Sequence, residues 1–139
     1  MLKSITINYQ YFKKDERDKL ELLPLCELSI LNRDRRVLVR ALVDTGAMHS
    51  IFPESAAEDA GIDLSKATLY EISYGASKTM GRLVQTYVEI AHHRFRLEIV
   101  FAERLILGFA LLGRKTFFNQ FNEVAFIERI KTPRVEFRG

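Results

Sequence analysis

The sequence predicts a mainly β protein, a small closed β-barrel with one or two short helices. Two observations carry this. Short apolar segments follow one another at roughly 8–12-residue spacing, separated by turn residues. Helical spacing is confined to residues 53–60 and 111–122. At 139 residues, 47% of them apolar, the chain fits one globular domain, residues 1–139. A chain of this size buries roughly two thirds of its unfolded surface and needs no disulfide or metal staple. Within it, residues 1–21 read as an N-terminal strand with a charged loop and residues 22–139 as the core.

The elements follow in order. Ile5, Ile7, Tyr9 and Tyr11 alternate with polar residues, the period of a strand. The run 13–19 alternates in sign, cancels itself and reads as a solvated loop. Residues 23–31 form the next strand, and Asn32-Arg33-Asp34-Arg35 is a turn signal. Residues 37–43 are apolar at nearly every position, as in a strand buried on both faces. Residues 53–60 predict a short helix, with Pro53 early and Gly61 just past the end. Residues 67–74, 82–91 and 94–101 predict three strands, and Leu105, Ile106 and Leu107 begin another. Gly75 and Gly81 bracket a polar hairpin tip, residues 76–79.

Residues 111–122 give the best helix. At about 100° per residue, Phe117, Phe121, Phe118 and Leu111 fall within roughly one third of the circle. Arg114 falls inside that arc and therefore needs a partner, because an unpaired buried charge is costly. Residues 124–127 and 134–137 predict the last two strands.

Composition excludes several classes. Lys and Arg number 21 against 18 Asp and Glu, a net charge of +3 too mild and too evenly spread for a nucleic-acid footprint. No apolar run is long enough to span a membrane. The first residues carry no apolar signal segment, which predicts a cytoplasmic protein. A single cysteine, Cys26, excludes an internal disulfide and a cysteine-based zinc site.

The chemistry concentrates in Ala41-Leu42-Val43-Asp44-Thr45-Gly46-Ala47. An apolar strand delivers a carboxylate onto a tight loop. Gly46 allows close approach or a left-handed backbone, and the Thr45 hydroxyl can lock the loop. A plainer reading makes Asp44 the cap of an Asx-type turn. Ser50-Ile51-Phe52 follows, and far downstream Leu111-Leu112-Gly113-Arg114 follows Leu105-Ile106-Leu107-Gly108. Between them lies the glycine-bearing hairpin from Ser73 to Gly81.

This ordered set, spanning residues 23–137, resembles the retropepsin-like aspartic proteases. The resemblance implies the acid-protease barrel, an extended peptide substrate, and hydrolysis by two aspartates without metal or other cofactor. A pepsin-like chain carries two such motifs in more than twice this length; here one Asp-Thr-Gly exists. The resemblance therefore implies a homodimer with an Asp44 from each subunit at its axis. Two adjacent carboxylates share one proton, so one acts as base toward water and the other as acid toward the carbonyl. It further implies that Thr45 ties the two loops across the axis, with Gly46, Gly113 and Arg114 as loop support. Backbone around Ala47 and Met48 would bind substrate, under a flap of Ser73, Tyr74, Gly75 and Ala76. The shared proton implies an acidic to near-neutral pH range. Terminal-strand interleaving in the family would have residues 2–9 and 134–137 build the dimer, and pairing some other way stays open.

One position departs from the pattern. Many retroviral members carry an acidic residue where Met48 stands, paired with the arginine, so Arg114 needs Glu54, Glu58 or a carbonyl near Asp44 instead. The competing reading is a non-catalytic peptide-binding or dimerisation module on the same fold. The remaining residues take plain readings. His49 is a surface-loop histidine, His92 and His93 belong to a turn, Cys26 is a small buried hydrophobe, and the phenylalanines 117, 118 and 121 are core.

Overall fold

The structure is a computed structural model that describes residues 4–13 and 15–139. The chain is mainly β, as predicted. Its strands are β1 (Ile5–Asn8), β2 (Gln10–Phe12), β3 (Glu21–Leu23), β4 (Leu25–Asn32), β5 (Arg35–Val43), β6 (Ser50–Pro53), β7 (Thr68–Tyr74), β8 (Ser77–Ile90), β9 (His93–Ala102), β10 (Ala110–Leu112), β11 (Glu123–Ile127) and β12 (Arg134–Arg138). One short helix, α1 (Glu54–Asp59), and one 3-10 turn, Phe118–Gln120, complete the described residues. No helix among them is long and apolar enough to cross a membrane.

The largest sheet has the order β4-β5-β10-β6-β9-β8-β7, and β4 also pairs with β8. A second sheet joins the chain ends in the order β1-β12-β11, with Ile5 opposite Phe137. The predicted N-terminal strand is thus found from Ile5 onward; Leu2 and Lys3 lie outside the described residues. A two-stranded β2–β3 hairpin carries the charged run at its tip, where the described residues are exposed.

Turn chemistry sets the hairpins. Arg33 (φ 55°) turns β4 into β5. Ala91 (φ 49°) and His92 (φ 66°) turn β8 into β9, so His92 sits in the turn and His93 opens the strand. Two consecutive left-handed residues are the signature of a type I′ hairpin. Helix α1 is held as predicted, with Pro53 at its N-cap and Gly61 (φ 71°) after it.

One core binds the two main sheets together. Phe52, Phe101, Phe117 and Phe137 are its largest fully buried side chains. Phe117 meets Phe95, Phe121 and Phe137 at tilted or edge-on angles, the geometry that aromatic quadrupoles prefer. The plain readings of Cys26 and of the phenylalanines hold, since Cys26, Phe117 and Phe121 are buried and Phe118 packs on the core.

Four expectations need correction. Strand β5 is buried on one face only: Val39, Ala41 and Val43 point inward, whereas Leu38 is 69% exposed. Residues 105–107 are a loop, because Gly108 (φ 74°) closes a turn by donating its N–H to Leu105 O (3.1 Å). The flap turn is tighter than predicted: Tyr74 pairs with Ser77, and Gly81 lies inside β8. A Cβ on Gly81 would meet Val100 Cγ1 at 2.5 Å and Phe101 O at 2.9 Å, so this glycine serves close strand packing.

The fourth correction is the helix at 111–122. Leu111 and Leu112 are strand residues, held parallel to β5 and antiparallel to β6. Thr116 adopts φ 69°, a left-handed backbone that ends any helix. Tertiary pairing overrides local propensity here. Arg114 is exposed, not on a buried arc. Its need for a partner disappears with the helix, and among the described residues it forms no ion pair with Glu54 or Glu58.

Candidate active site

The site is built around the loop that leaves β5. Val43 is buried and donates its N–H to Pro24 O (2.9 Å). Asp44 donates its N–H to Leu112 O (3.1 Å), which continues the parallel pairing of β5 with β10. The chain then turns on itself. Gly46 N–H donates to Asp44 Oδ1 at 2.8 Å, and Ala47 N–H donates to Asp44 O at 3.3 Å. The Asx turn anticipated as the plainer reading is therefore present, and it engages Oδ1 of the half-buried carboxylate. A Cβ on Gly46 would stand 3.2 Å from that same oxygen, so the glycine permits the contact.

The loop faces two ways. Ala47 and Ser50 are buried, while Thr45 and Gly46 are exposed and Met48 is 57% exposed. The inner residues anchor it; the outer ones present an open edge beside Asp44.

The downstream motif provides the anchor. Gly113 N–H donates to the fully buried Ser50 Oγ (3.0 Å), Arg114 N–H to Ala47 O (3.0 Å) and Lys115 N–H to Met48 O (2.8 Å). Leu111-Leu112-Gly113-Arg114 thus clamps residues 47–50 through its backbone. The two distant motifs come together, with Arg114 contributing its main chain rather than a buried guanidinium.

Ser73, Gly75 and Ala76 are exposed around the β7–β8 turn, where Gly75 takes φ 61°. Strand β9 backs β8 only from Gly81 onward. Residues 71–80 therefore project as a two-stranded overhang. Its underside carries the buried residues Ile72 and Thr79. These share a cavity of about 20 Å³ with Ile51, Leu105, Ile106 and Leu111. Arg104 Nη2 donates to Lys78 O (2.9 Å) and Glu103 N–H to Met80 O (3.0 Å), joining the overhang to the 103–109 loop.

Three residues of the site escaped the sequence reading. Ser50 was part of the motif but had no role assigned. His49, read as a surface-loop residue, is half-buried, and its Nε2 lies 2.7 Å from Tyr70 Oη. Burial pushes its imidazole below the ordinary histidine range; Lys115 adds to that and Glu98 opposes it. Tyr70 was not singled out, although period-two spacing sets it on the same face of β7 as Ile72.

Comparisons with known proteins give the family and the fold. The aspartyl protease family model matches residues 30–116, which include both motifs and the hairpin between them. The chain also superposes on the crystal structure of a retropepsin-like aspartic protease from Rickettsia conorii. The TM-score is 0.66 at 17% identity, over 99% of this chain and 100% of that one. At that identity the likeness establishes the fold alone. No curated protein matches in sequence. Because the family model covers more than half of the chain, and does so across both motifs, the chain belongs to the aspartyl protease family, with a retropepsin-like fold.

Proposed function

We propose that this chain is an aspartic endopeptidase that works as a homodimer, with Asp44 of each subunit forming one catalytic pair. The observation that carries this is the Asp44 loop. Asp44 is half-buried, with its backbone N–H bonded to Leu112 O of β10 and its Oδ1 accepting from Gly46 N–H, directly beside an exposed edge of Thr45 and Gly46.

The chemistry needs two carboxylates close enough to share a proton, and a two-fold axis supplies the second copy. The deprotonated Asp44 draws a proton from water as the water attacks the peptide carbonyl. The protonated Asp44 donates to the carbonyl oxygen, and the tetrahedral intermediate collapses with the proton passing to the leaving nitrogen. Thr45 ties the two loops across the axis. The peptide lies extended between the Ala47–Met48 backbone and the overhang of Ser73, Tyr74, Gly75 and Ala76, adding a strand by main-chain bonds. We also read residues 1–139 as one domain and the large sheet as a closed barrel; the pairing of β4 with both β5 and β8 supports closure.

The test is a peptide-library digest read by mass spectrometry across a pH series, with Asp44→Asn alongside. Cuts made by the native chain should fall by roughly 10²–10⁴-fold or more in the variant, the usual range for a lost acid–base group. Sedimentation at matched concentration should show a dimer that Thr45→Ala weakens. If both chains are folded dimers and neither cuts, the peptide-binding module is the better reading.

A further inference from the structure

We propose that His49 and Tyr70 are positioning residues of this site: their hydrogen bond fastens the overhanging hairpin to the segment that leaves the Asp44 loop. The proposal rests on the peptidase reading for its consequence in catalysis, and on geometry for the clasp itself.

Each partner is anchored at a telling place. His49 is the last residue before β6, and both of its neighbours are clamped, Met48 by its carbonyl and Ser50 by its hydroxyl. Met48 O accepts from Lys115 N–H, and Ser50 Oγ accepts from Gly113 N–H. Its imidazole is therefore presented from a rigid segment five residues after Asp44 in the chain. Tyr70 pairs with Gly81 across the hairpin, and Gly81 in turn pairs with Ala102. That is the last register position at which β8 has β9 behind it. Beyond Tyr70 the hairpin is two strands with no third, so Tyr70 stands where the overhang begins.

The contact combines packing with a polar bond. The rings of His49 and Tyr70 meet edge-on with centroids 4.8 Å apart, and Oη lies 2.7 Å from Nε2. The Tyr70 ring packs against the small cluster of Ile72, Val100 and Ala102, joined by Ile51 and Ile106. One side chain thus links the underside of the overhang to the Asp44 segment. With neutral His49 protonated on Nδ1, the Tyr70 hydroxyl donates to Nε2. With charged His49, Nε2–H donates to Oη. The bond can form in either state, and burial of the imidazole makes neutral His49 the form the fold favours.

On the other arm of the hairpin, Arg104 holds Lys78 O and Glu103 holds Met80 O. Loss of the His49–Tyr70 bond frees only the β7 arm, giving a hairpin that closes less often over substrate. Such a loss raises KM more than it lowers kcat.

The test uses the full chain. Amide hydrogen exchange of residues 71–80 is measured in an Asp44→Asn background carrying Tyr70→Phe, His49→Leu, both together, or His49→Gln. Tyr70→Phe keeps the packing and removes only the hydroxyl. It and His49→Leu should each raise exchange at 71–80 by about fivefold, the equivalent of one net hydrogen bond, with β4 and β5 unchanged. The double variant should do no more than either single one, and His49→Gln, which offers an amide to Tyr70, should restore protection. With Asp44 intact, Tyr70→Phe should raise KM by a similar factor. Unchanged exchange in Tyr70→Phe, or additive effects in the double variant, would overturn the clasp. A native chain that cuts no peptide sinks the peptidase reading while the exchange data still decide the clasp.

Discussion

Gly113 lies with its Cα against the carbonyl of His49. A Cβ there would collide with the His49 carbonyl group and come within 2.9 Å of Ala47 O. Both obstacles are backbone, which cannot swing aside as a side chain can. Gly113→Ala is therefore expected to push the downstream strand off the Asp44 loop. The cost of such overpacking is of order 1–3 kcal/mol or more. The urea midpoint should fall and peptide cleavage should vanish together. A Gly113→Ala chain with native stability would mean that residues 47–50 yield more readily than this packing implies.

Ser50 offers a milder probe of the same clamp. Its hydroxyl is fully buried and accepts the Gly113 N–H at 3.0 Å. Ser50→Ala leaves that donor without its partner in a closed site. An orphaned buried donor costs about 1–3 kcal/mol. The expected result is a lower urea midpoint with the fold retained, measured by circular dichroism. Ser50→Thr keeps the hydroxyl and is expected to recover part of the loss if the extra methyl fits.

These two residues also mark how far the sequence could be read. Asp44, Gly46 and Gly113 were legible because short motifs fix them within a few residues. The role of Ser50 was not, since its partner lies 63 residues away. Tyr70 and His49 are 21 residues apart and meet only once the sheet brings β7 to the segment before β6. The same limit explains the misread elements. Phe117, Phe118 and Phe121 have helical spacing, but Leu111 and Leu112 are captured between β5 and β6. In β5, Leu38 is as apolar as its neighbours yet faces out, so composition implied two buried faces where there is one. The alternating N-terminal run, by contrast, carries its own period, and β was found there, though split into β1 and β2 in two different sheets.

Cys26 reports on the strand that carries Asp44. It is 1% exposed in β4 and pairs with Ala41 of β5. Burial, with a smaller push from Glu27, raises its thiol to about 12. The thiolate is the reactive form, so a native chain at about pH 8 should resist thiol reagents. Labelling should proceed only at the rate at which β4 separates from β5, and urea should accelerate it in step with unfolding. Rapid stoichiometric labelling without denaturant would show that this strand pair opens freely, against a core that holds it.

The last prediction concerns acid. His49 is held below its ordinary value of 6.5 mainly by burial and then by Lys115, with Glu98 pulling the other way. The groups facing it come from three elements: Tyr70 on β7, Glu98 on β9 and Lys115 in the loop after β10. A depressed value means that the unfolded chain takes up the proton first as pH falls. The folded state therefore keeps its advantage above pH 6.5 and loses it as pH drops toward the lower folded value. The urea midpoint should decline below about pH 6.5, and less so in His49→Gln. Glu98→Gln removes the stabiliser of the charged imidazole and should deepen the decline; Lys115→Met should lessen it. A shared-proton aspartate pair works in the same acidic to neutral range. Activity there would be gained from the dyad while the segment beside it loses stability, so the acid limb of the activity profile should flatten in His49→Gln. If that limb is unchanged, the acid limit belongs to the carboxylates alone.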